Sequence, residues 1–194
     1  MSTTHLILIR HGETDWNVEG RYQGQADPGL NERGRQQAKQ LAEMLAQNPP
    51  DLIYTSPLKR AYETASIIAQ KLNIPVYVDP RLMEIHQGEW QTLLHTEIAR
   101  RYPDLWEQWH TDPWNTKIPG GETLQEVQNR VYAAIDDILR KHPGKRIGIV
   151  AHRIPLALLK IRYQGINPQL VRKIEMPNTF IEEIPLVLPQ SASS

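Results

Sequence analysis

The chain has 194 residues, long enough for one domain with a substantial core, and its 40% hydrophobic and 23% charged residues are typical of a globular protein. Its 22 basic and 22 acidic residues balance, so no overall positive field exists to attract nucleic acid or an anionic membrane. The absence of cysteine excludes disulfides, a thiolate nucleophile and a thiolate zinc site.

The first predicted element is a buried strand over His5–Ile9, which runs into a turn at Arg10-His11-Gly12. Its apolar run, Leu6–Ile9, is too short for a signal peptide or a membrane span. We therefore expect a cytoplasmic protein that has no membrane partner.

Helices and strands alternate through the next part of the chain. Asn31 is a good helix cap, and Asn48-Pro49-Pro50 ends that helix. A strand is predicted over Leu52–Thr55. Ser56-Pro57 resembles a cap followed by proline at the first helical position, which predicts that the next helix begins there. A third strand is predicted over Val76–Val78.

The alternation resumes near the C-terminus. Thr123-Leu124-Gln125-Glu126 is a capping-box pattern that opens a helix, and Pro143-Gly144 ends it. A buried strand over Ile147–Ala151, a helix from Ile154 and a last strand near Thr179–Ile184 follow. The pattern predicts an α/β fold: a three-layer α/β/α sandwich with a mainly parallel central sheet and helices on both faces.

Residues 81–121 break this rhythm, so we expect a small helical cap inserted into a single domain that spans residues 1–194. Three tryptophans in this segment either line a substrate lid or pack the cap: Trp106, Trp109 and Trp114. Residues 190–194 are expected to form a frayed tail.

Polar clusters follow three of the predicted strands: Arg10–Gly12, Ser56–Arg60 and His152-Arg153. In open α/β sheets, ligands bind beyond the carboxyl ends of the strands, so these clusters should meet in one crevice. Arginine presents a planar fork of donors that matches phosphate oxygens. The sequence therefore predicts a phosphate site at this edge.

The two histidines of these clusters suggest phosphoryl transfer. A phosphomonoester carries about −1.5 to −2 charge, which Arg10 and Arg60 would nearly neutralise. One histidine would attack phosphorus while the other stabilises the transferring group. Neighbouring cations favour a neutral imidazole, so His11 would need no separate base as a nucleophile.

The segment Leu8–Asn17 resembles the R-H-G-[ET]-[ST]-x-x-N signature of the histidine phosphatase superfamily, which includes the cofactor-dependent phosphoglycerate mutases. Further blocks of that family follow in the same order, which makes the resemblance specific. They are Arg21–Gly24 with Leu30–Gly34, Ser56–Ala61, Leu82–Glu84, Gly120–Thr123 and Val150–His152.

The resemblance implies a role for each matching residue. His11 would be phosphorylated, and His152 would bond the phosphoryl group in the transition state. Glu84 would protonate the leaving oxygen and then accept a proton from water. Four residues would hold the phosphate, namely Arg10, Arg60, Asn17 and Gln23. The resemblance implies no metal and no other cofactor.

Two departures bear on the substrate. Arg153 stands where the family usually has glycine. The loop Glu84–Gly88 reads E-I-H-Q-G where the mutases carry E-R-H-Y-G, which favours water as the acceptor. Metal-independent phosphoserine phosphatases have a histidine just before the loop glycine. This chain departs from them, with Gln87 there and His86 one residue earlier. Phosphoserine is a candidate substrate because residues 21–38, 84–90 and 102–123 most resemble those enzymes, while other small phosphate esters, including phosphosugars and α-ribazole phosphate, stay open. The candidate substrate contacts are Arg21, His86, Gln87 and Arg153.

Three other functions stay open at this stage, alongside a phosphatase of a small phosphorylated metabolite. One is a phosphoglycerate mutase. Another is a phosphate-binding module that has lost catalysis. The third is a metallohydrolase using His11, Glu13, Asp15 and His152, although no usual metal-ligand spacing is present. Because relatives form dimers, a homodimer is a further alternative.

Overall fold

The computed structural model describes residues 2–189, so the predicted frayed tail lies outside the described residues. The strands are β1 (Ser2–Arg10), β2 (Leu52–Thr55), β3 (Val76–Val78), β4 (Arg146–Ala151) and β5 (Ile181–Leu188). The α-helices are α1 (Asp15–Glu19), α2 (Glu32–Leu45), α3 (Lys59–Leu72), α4 (His95–Arg101), α5 (Pro103–Thr111), α6 (Leu124–Lys141) and α7 (Arg153–Gln164).

The five strands form one sheet in the order β3-β2-β4-β1-β5. The first four strands in this order pair in parallel, and only β5 runs antiparallel, against β1. The prediction of a mainly parallel sheet is confirmed. The last strand begins at Ile181, two residues later than predicted.

The two faces of the sheet carry separate cores, and β1 contributes to both. Leu6 and Leu8 pack into a core that includes residues of α6 and α7. Ile7 and Ile9 pack into a second core with residues of α2 and α3. Successive side chains of a strand point to opposite faces, so this strand sits between two helical layers. The predicted three-layer sandwich is confirmed.

The start of α3 differs from the prediction. The helix begins at Lys59 with Leu58 at the N-cap position, not at Ser56. The Ser56 hydroxyl accepts a hydrogen bond from the Leu58 N–H over 3.2 Å and lies 2.8 Å from His152 Nε2. The Ser56 side chain, which was predicted to cap the helix, therefore contacts His152 instead. By contrast, Asn31 and Thr123 do cap α2 and α6.

Residues 81–121, which break the alternation, contain α4, α5 and two short 3-10 helices, Gly88–Trp90 and Pro113–Asn115. That they form an inserted cap stays a prediction. Trp106 packs against Trp90 and Tyr22, with ring centroids 5.8 and 5.7 Å away, and the Trp114 indole donates to the Pro168 carbonyl. Among the described residues, no helix combines the length and apolar character that a membrane crossing requires.

Candidate active site

The carboxyl ends of β1 and β4 and the start of α3 bring the predicted polar clusters together. Each cluster contributes at least one residue to the lining of a pocket of about 180 Å³, although Ser56 and His152 themselves do not line it. Arg10 and His11 follow β1 into it, Arg60 enters from α3, and Arg153 begins α7 directly after β4. Glu84 enters from the loop after β3. Five arginines and one acidic residue line the pocket, so its charge is strongly positive. The arginines are Arg10, Arg21, Arg60, Arg153 and Arg172, and the acidic residue is Glu84.

His11 is held in one orientation and is only 2% exposed. Its Nδ1 lies 2.6 Å from the Gly12 carbonyl oxygen. A carbonyl can only accept, so Nδ1 carries the proton and Nε2 keeps its lone pair. Burial, followed by the charges of Arg10 and Arg60, holds the pKa of His11 well below its ordinary value of 6.5. The imidazole is therefore a neutral nucleophile at neutral pH.

The loop after β1 is fixed by close backbone packing on α2. A Cβ on Gly12 would lie 2.6 Å from the Gly34 carbonyl oxygen, and a Cβ on Gly34 would lie 2.2 Å from the Glu13 carbonyl oxygen. Both distances are too short for any side chain, which explains glycine at both positions. The Gly12 N–H also donates to the Thr64 hydroxyl over 3.0 Å.

His152 lies beside His11, with the ring centroids 5.3 Å apart, and is fully buried. Its Nε2 is 2.8 Å from the Ser56 hydroxyl, while its buried Nδ1 has no hydrogen-bond partner in residues 2–189. Burial and the nearby charge of Arg60 hold the pKa of His152 well below 6.5. The ring is therefore neutral, and it lies behind Arg153 and Ile154, which line the pocket while His152 itself does not.

Arg10 and Arg60 are anchored by backbone carbonyls. Arg60, 1% exposed, donates to the Ala26 and Gly24 carbonyls over 2.9 and 2.6 Å, and Arg10 donates to the Met176 carbonyl. Burial lowers the pKa of each guanidinium to about 10, so both stay charged at neutral pH. Each has a buried Nε atom without a hydrogen-bond partner in the described structure.

Asn17 and Gln23 also line the pocket, as the phosphate-binding prediction requires. The Asn17 amide oxygen accepts from the Thr14 N–H over 3.0 Å and from Asn178 Nδ2 over 3.1 Å. The Gln23 amide oxygen accepts from the Thr14 hydroxyl over 2.8 Å. These bonds use the acceptors of both amides, which leaves the two NH₂ groups as donors for an anion.

Glu84 lines the same pocket as Arg10 and Arg60. Its Oε1 accepts from the Ile85 N–H over 2.8 Å. Burial raises the pKa of Glu84 above its ordinary value, and this outweighs the lowering by Ile85, Arg60 and Arg10. A carboxyl of raised pKa is suited to act as a general acid.

The loop that carries Glu84 is held by Arg130, a residue that no sequence motif singles out. Arg130 of α6 donates to the carbonyl oxygens of Arg81, Met83 and Glu84 over 2.8, 2.6 and 3.0 Å. It also pairs with Glu122 over 2.9 Å. The spacing of α6 marks its apolar face, but nothing in the spacing shows that Arg130 reaches this loop.

The candidate substrate contacts divide into two groups. Arg21, Gln87 and Arg153 line the pocket as predicted. His86 does not line it, and a contact between His86 and the substrate stays a prediction. The His86 ring accepts from the Gly88 N–H over 3.0 Å, and the His86 N–H donates to Glu122, so this residue shapes the loop instead.

Four residues that line the pocket had no role assigned from the sequence, namely Tyr22, Gly24, Ile154 and Arg172, and the role of Trp109 was left open. Tyr22 and Arg172 contribute polar side chains to the pocket. Of the three tryptophans that were candidates for a substrate lid, Trp109 lines the pocket, whereas Trp106 and Trp114 do not. Arg172 follows a 3-10 helix in the irregular segment before β5, where no periodicity points to a site. Its Cζ lies 4.9 Å from the centroid of the Trp109 ring.

The ligand set proposed for a metallohydrolase is not assembled. Within residues 2–189 no group of three or more histidine and acidic side chains could hold a metal ion. Glu13 and Asp15 both accept from the Asn31 amide, at the start of α2. The described residues therefore offer no metal site for the metallohydrolase alternative.

Comparison with known proteins fits this geometry. Residues 6–186 match the family described as the histidine phosphatase superfamily, branch 1. The chain belongs to the histidine phosphatase superfamily. The prediction made from the sequence signature is confirmed at the level of the family.

Named relatives of this histidine phosphatase act on different phosphate esters. It is 40% identical over 162 residues to phosphoserine phosphatase 1 of Hydrogenobacter thermophilus, covering 84% of this chain and 77% of that one. It is 38% identical to a metal-independent phosphoserine phosphatase of Arabidopsis thaliana, over 82% of this chain and 68% of that protein. The structure of a mycobacterial glucosyl-3-phosphoglycerate phosphatase in complex with VO3 superposes on this chain with a TM-score of 0.84 and 33% sequence identity. The superposition covers 92% of this chain and 90% of that one.

Proposed function

We propose that the chain is a metal-independent phosphomonoesterase that works through a phosphohistidine on Nε2 of His11. One observation carries the proposal. A neutral imidazole, oriented by its Nδ1 contact with Gly12, lies in the same small pocket as two buried arginines and a carboxyl of raised pKa. Each part of a covalent phosphoryl transfer is present there.

In the first step, Nε2 of His11 attacks phosphorus and the bond from phosphorus to the ester oxygen breaks. The proton of Glu84 passes to the leaving oxygen, which departs as an alcohol. The phosphorylated imidazole keeps its Nδ1 proton, and the Gly12 carbonyl stabilises the positive charge that develops on the ring. Glu84 is left as a carboxylate beside Arg10 and Arg60.

In the second step, water attacks phosphorus and the bond to Nε2 breaks. The Glu84 carboxylate takes the proton of the water, which restores both the acid and the neutral His11. Arg10, Arg60 and His152 stabilise the charge on the phosphoryl oxygens in both steps. Every proton and bond is accounted for by residues of the pocket, without a metal.

One feature favours hydrolysis over mutase activity. The residue after Glu84 is Ile85, which is fully buried in the core, so this position supplies no cation to a phosphoglycerate. The pocket of about 180 Å³ is small compared with drug-sized sites of about 300–1,000 Å³, which favours a small substrate. We infer a small phosphorylated metabolite as substrate, with phosphoserine as a candidate because two relatives bear that name.

The experiment is phosphate release from p-nitrophenyl phosphate and O-phospho-L-serine, before and after exhaustive chelation. We expect hydrolysis that chelation does not change and that His11→Ala abolishes. Arg100→Gln is the matched control, since Arg100 is exposed on α4, outside the pocket. Activity lost on chelation and restored by a metal would overturn the proposal, and so would full activity of His11→Ala.

A further inference from the structure

A second pair of arginines shares the pocket with the pair that holds the phosphate. Arg153 donates to the Arg172 carbonyl oxygen over 2.5 Å, and Arg172 donates to the Trp109 carbonyl oxygen over 3.4 Å. All three residues line the pocket. The described part of the chain places no carboxylate within ion-pairing distance of either guanidinium.

Charge shows why this pair calls for a ligand. A phosphomonoester of about −2 charge is already matched by Arg10 and Arg60. Arg153 and Arg172 add two positive charges that no protein group compensates. Surplus positive charge in a cleft attracts and concentrates anions. The buried Nε of Arg153 also has no hydrogen-bond partner within residues 2–189.

The position of the pair limits the shape of the ligand. Arg153 directly follows His152 and lies close enough to Arg10 to lower the pKa of Arg10. A group bound by Arg153 therefore lies near the transferred phosphoryl group. Arg172 stacks over the Trp109 ring and lies near Tyr22, which fixes the direction of its fork of donors.

We infer that Arg153 and Arg172 form a second anion-binding subsite, so that the preferred substrate is a small phosphate ester bearing a further anionic group a few atoms away. The inference rests on the proposed function and narrows its substrate class. The further anion is a carboxylate or a second phosphate, since both accept two parallel hydrogen bonds from a guanidinium.

Matched pairs of esters test the subsite. O-Phospho-L-serine is compared with O-phosphoethanolamine, which lacks only the carboxylate. 3-Phosphoglycerate is compared with glycerol 3-phosphate, and fructose 1,6-bisphosphate with fructose 6-phosphate. We expect kcat/KM to favour the doubly anionic member of at least one pair by about tenfold or more, as a charge-assisted contact allows. The carboxylate pairs and the bisphosphate pair distinguish the two kinds of anion.

Variants then assign the selectivity to the two arginines. Arg172→Gln and Arg153→Gln should each lower the selectivity ratio of the favoured pair by about tenfold, mainly through KM. Arg172→Lys should recover part of the ratio. The ratio compares two substrates on one preparation, so partial unfolding does not change it. Arg100→Gln is the control and should keep the wild-type ratio.

The outcomes separate the subsite from the proposed function. Hydrolysis of all six esters with selectivity ratios near one would overturn the subsite and leave the phosphatase standing. Wild-type selectivity that survives both glutamine variants would also overturn it. Failure to hydrolyse any ester, p-nitrophenyl phosphate included, would overturn the proposed function and the inference built on it.

Discussion

The carbonyl oxygen of Glu84 accepts a hydrogen bond from the Arg130 guanidinium over 3.0 Å. Arg130 also donates to the Met83 carbonyl, and its pairing with Glu122 ties the same loop to the start of α6. The proposed acid is thus placed by a residue of a distant helix that does not line the pocket. Arg130 is a positioning residue, and its removal should act through Glu84.

Arg130→Gln should lower kcat on O-phospho-L-serine by roughly a hundredfold, because a displacement of about 1 Å can cost that much. The loss should be far smaller on p-nitrophenyl phosphate, whose leaving group needs little protonation. Arg130→Lys should recover part of the rate. Equal losses on the two substrates would indicate a general structural defect and would contradict the positioning role.

The pH dependence should follow from the two pKa shifts. Glu84 must be protonated, and burial raises its pKa, so activity is present below that pKa and falls as the pH rises through it. His11 must be neutral, and its pKa is lowered, so activity falls only when the pH drops well below 6.5. The profile of kcat/KM on an alkyl phosphate should therefore be bell-shaped.

Glu84→Gln should remove the alkaline limb of that profile and lower the rate on alkyl esters by about 10²–10⁴-fold. Ionisation of the substrate phosphate is common to both enzymes and cancels in the comparison. An alkaline limb that stays unchanged in Glu84→Gln would show that a different group is the acid.

Gly34→Ala should destabilise the fold although alanine is the better helix former. The new Cβ would lie 2.2 Å from the Glu13 carbonyl oxygen and push apart α2 and the loop that carries His11. We expect a loss of about 1–3 kcal/mol in the free energy of unfolding, measured by urea denaturation. Lys39→Ala, exposed on the same helix, is the control. Equal stability of the two variants would contradict this packing.

The sequence predicted the architecture because strand and helix periodicities are local signals that tertiary contacts here reinforce. Arg10, His11 and Arg60 were singled out because they belong to polar clusters that follow predicted strands, and Glu84 because its block resembles the acid-bearing loop of the family; their roles stay predictions. Ser56 was misassigned as a helix cap because its hydroxyl contacts His152, about a hundred residues away.

The residues that the sequence could not place depend on irregular backbone. His86 and Gln87 are neighbours, and only the fold of their loop decides that Gln87 lines the pocket. Arg172 and Arg130 lie in no recognisable motif, and they reach the site only through the folding of distant segments. Such residues cannot be assigned from spacing, since spacing describes one element at a time.

The central claim is a covalent phosphoryl group on His11, and trapping that group tests it most directly. The enzyme is mixed with substrate, quenched at alkaline pH to preserve acid-labile phosphoryl groups, and digested for peptide mass spectrometry. We predict one acid-labile phosphate on residue 11 of the wild type, absent in His11→Ala and longer-lived in Glu84→Gln. A phosphoryl group on another residue would contradict the account, as would rapid single-turnover hydrolysis during which His11 never becomes phosphorylated.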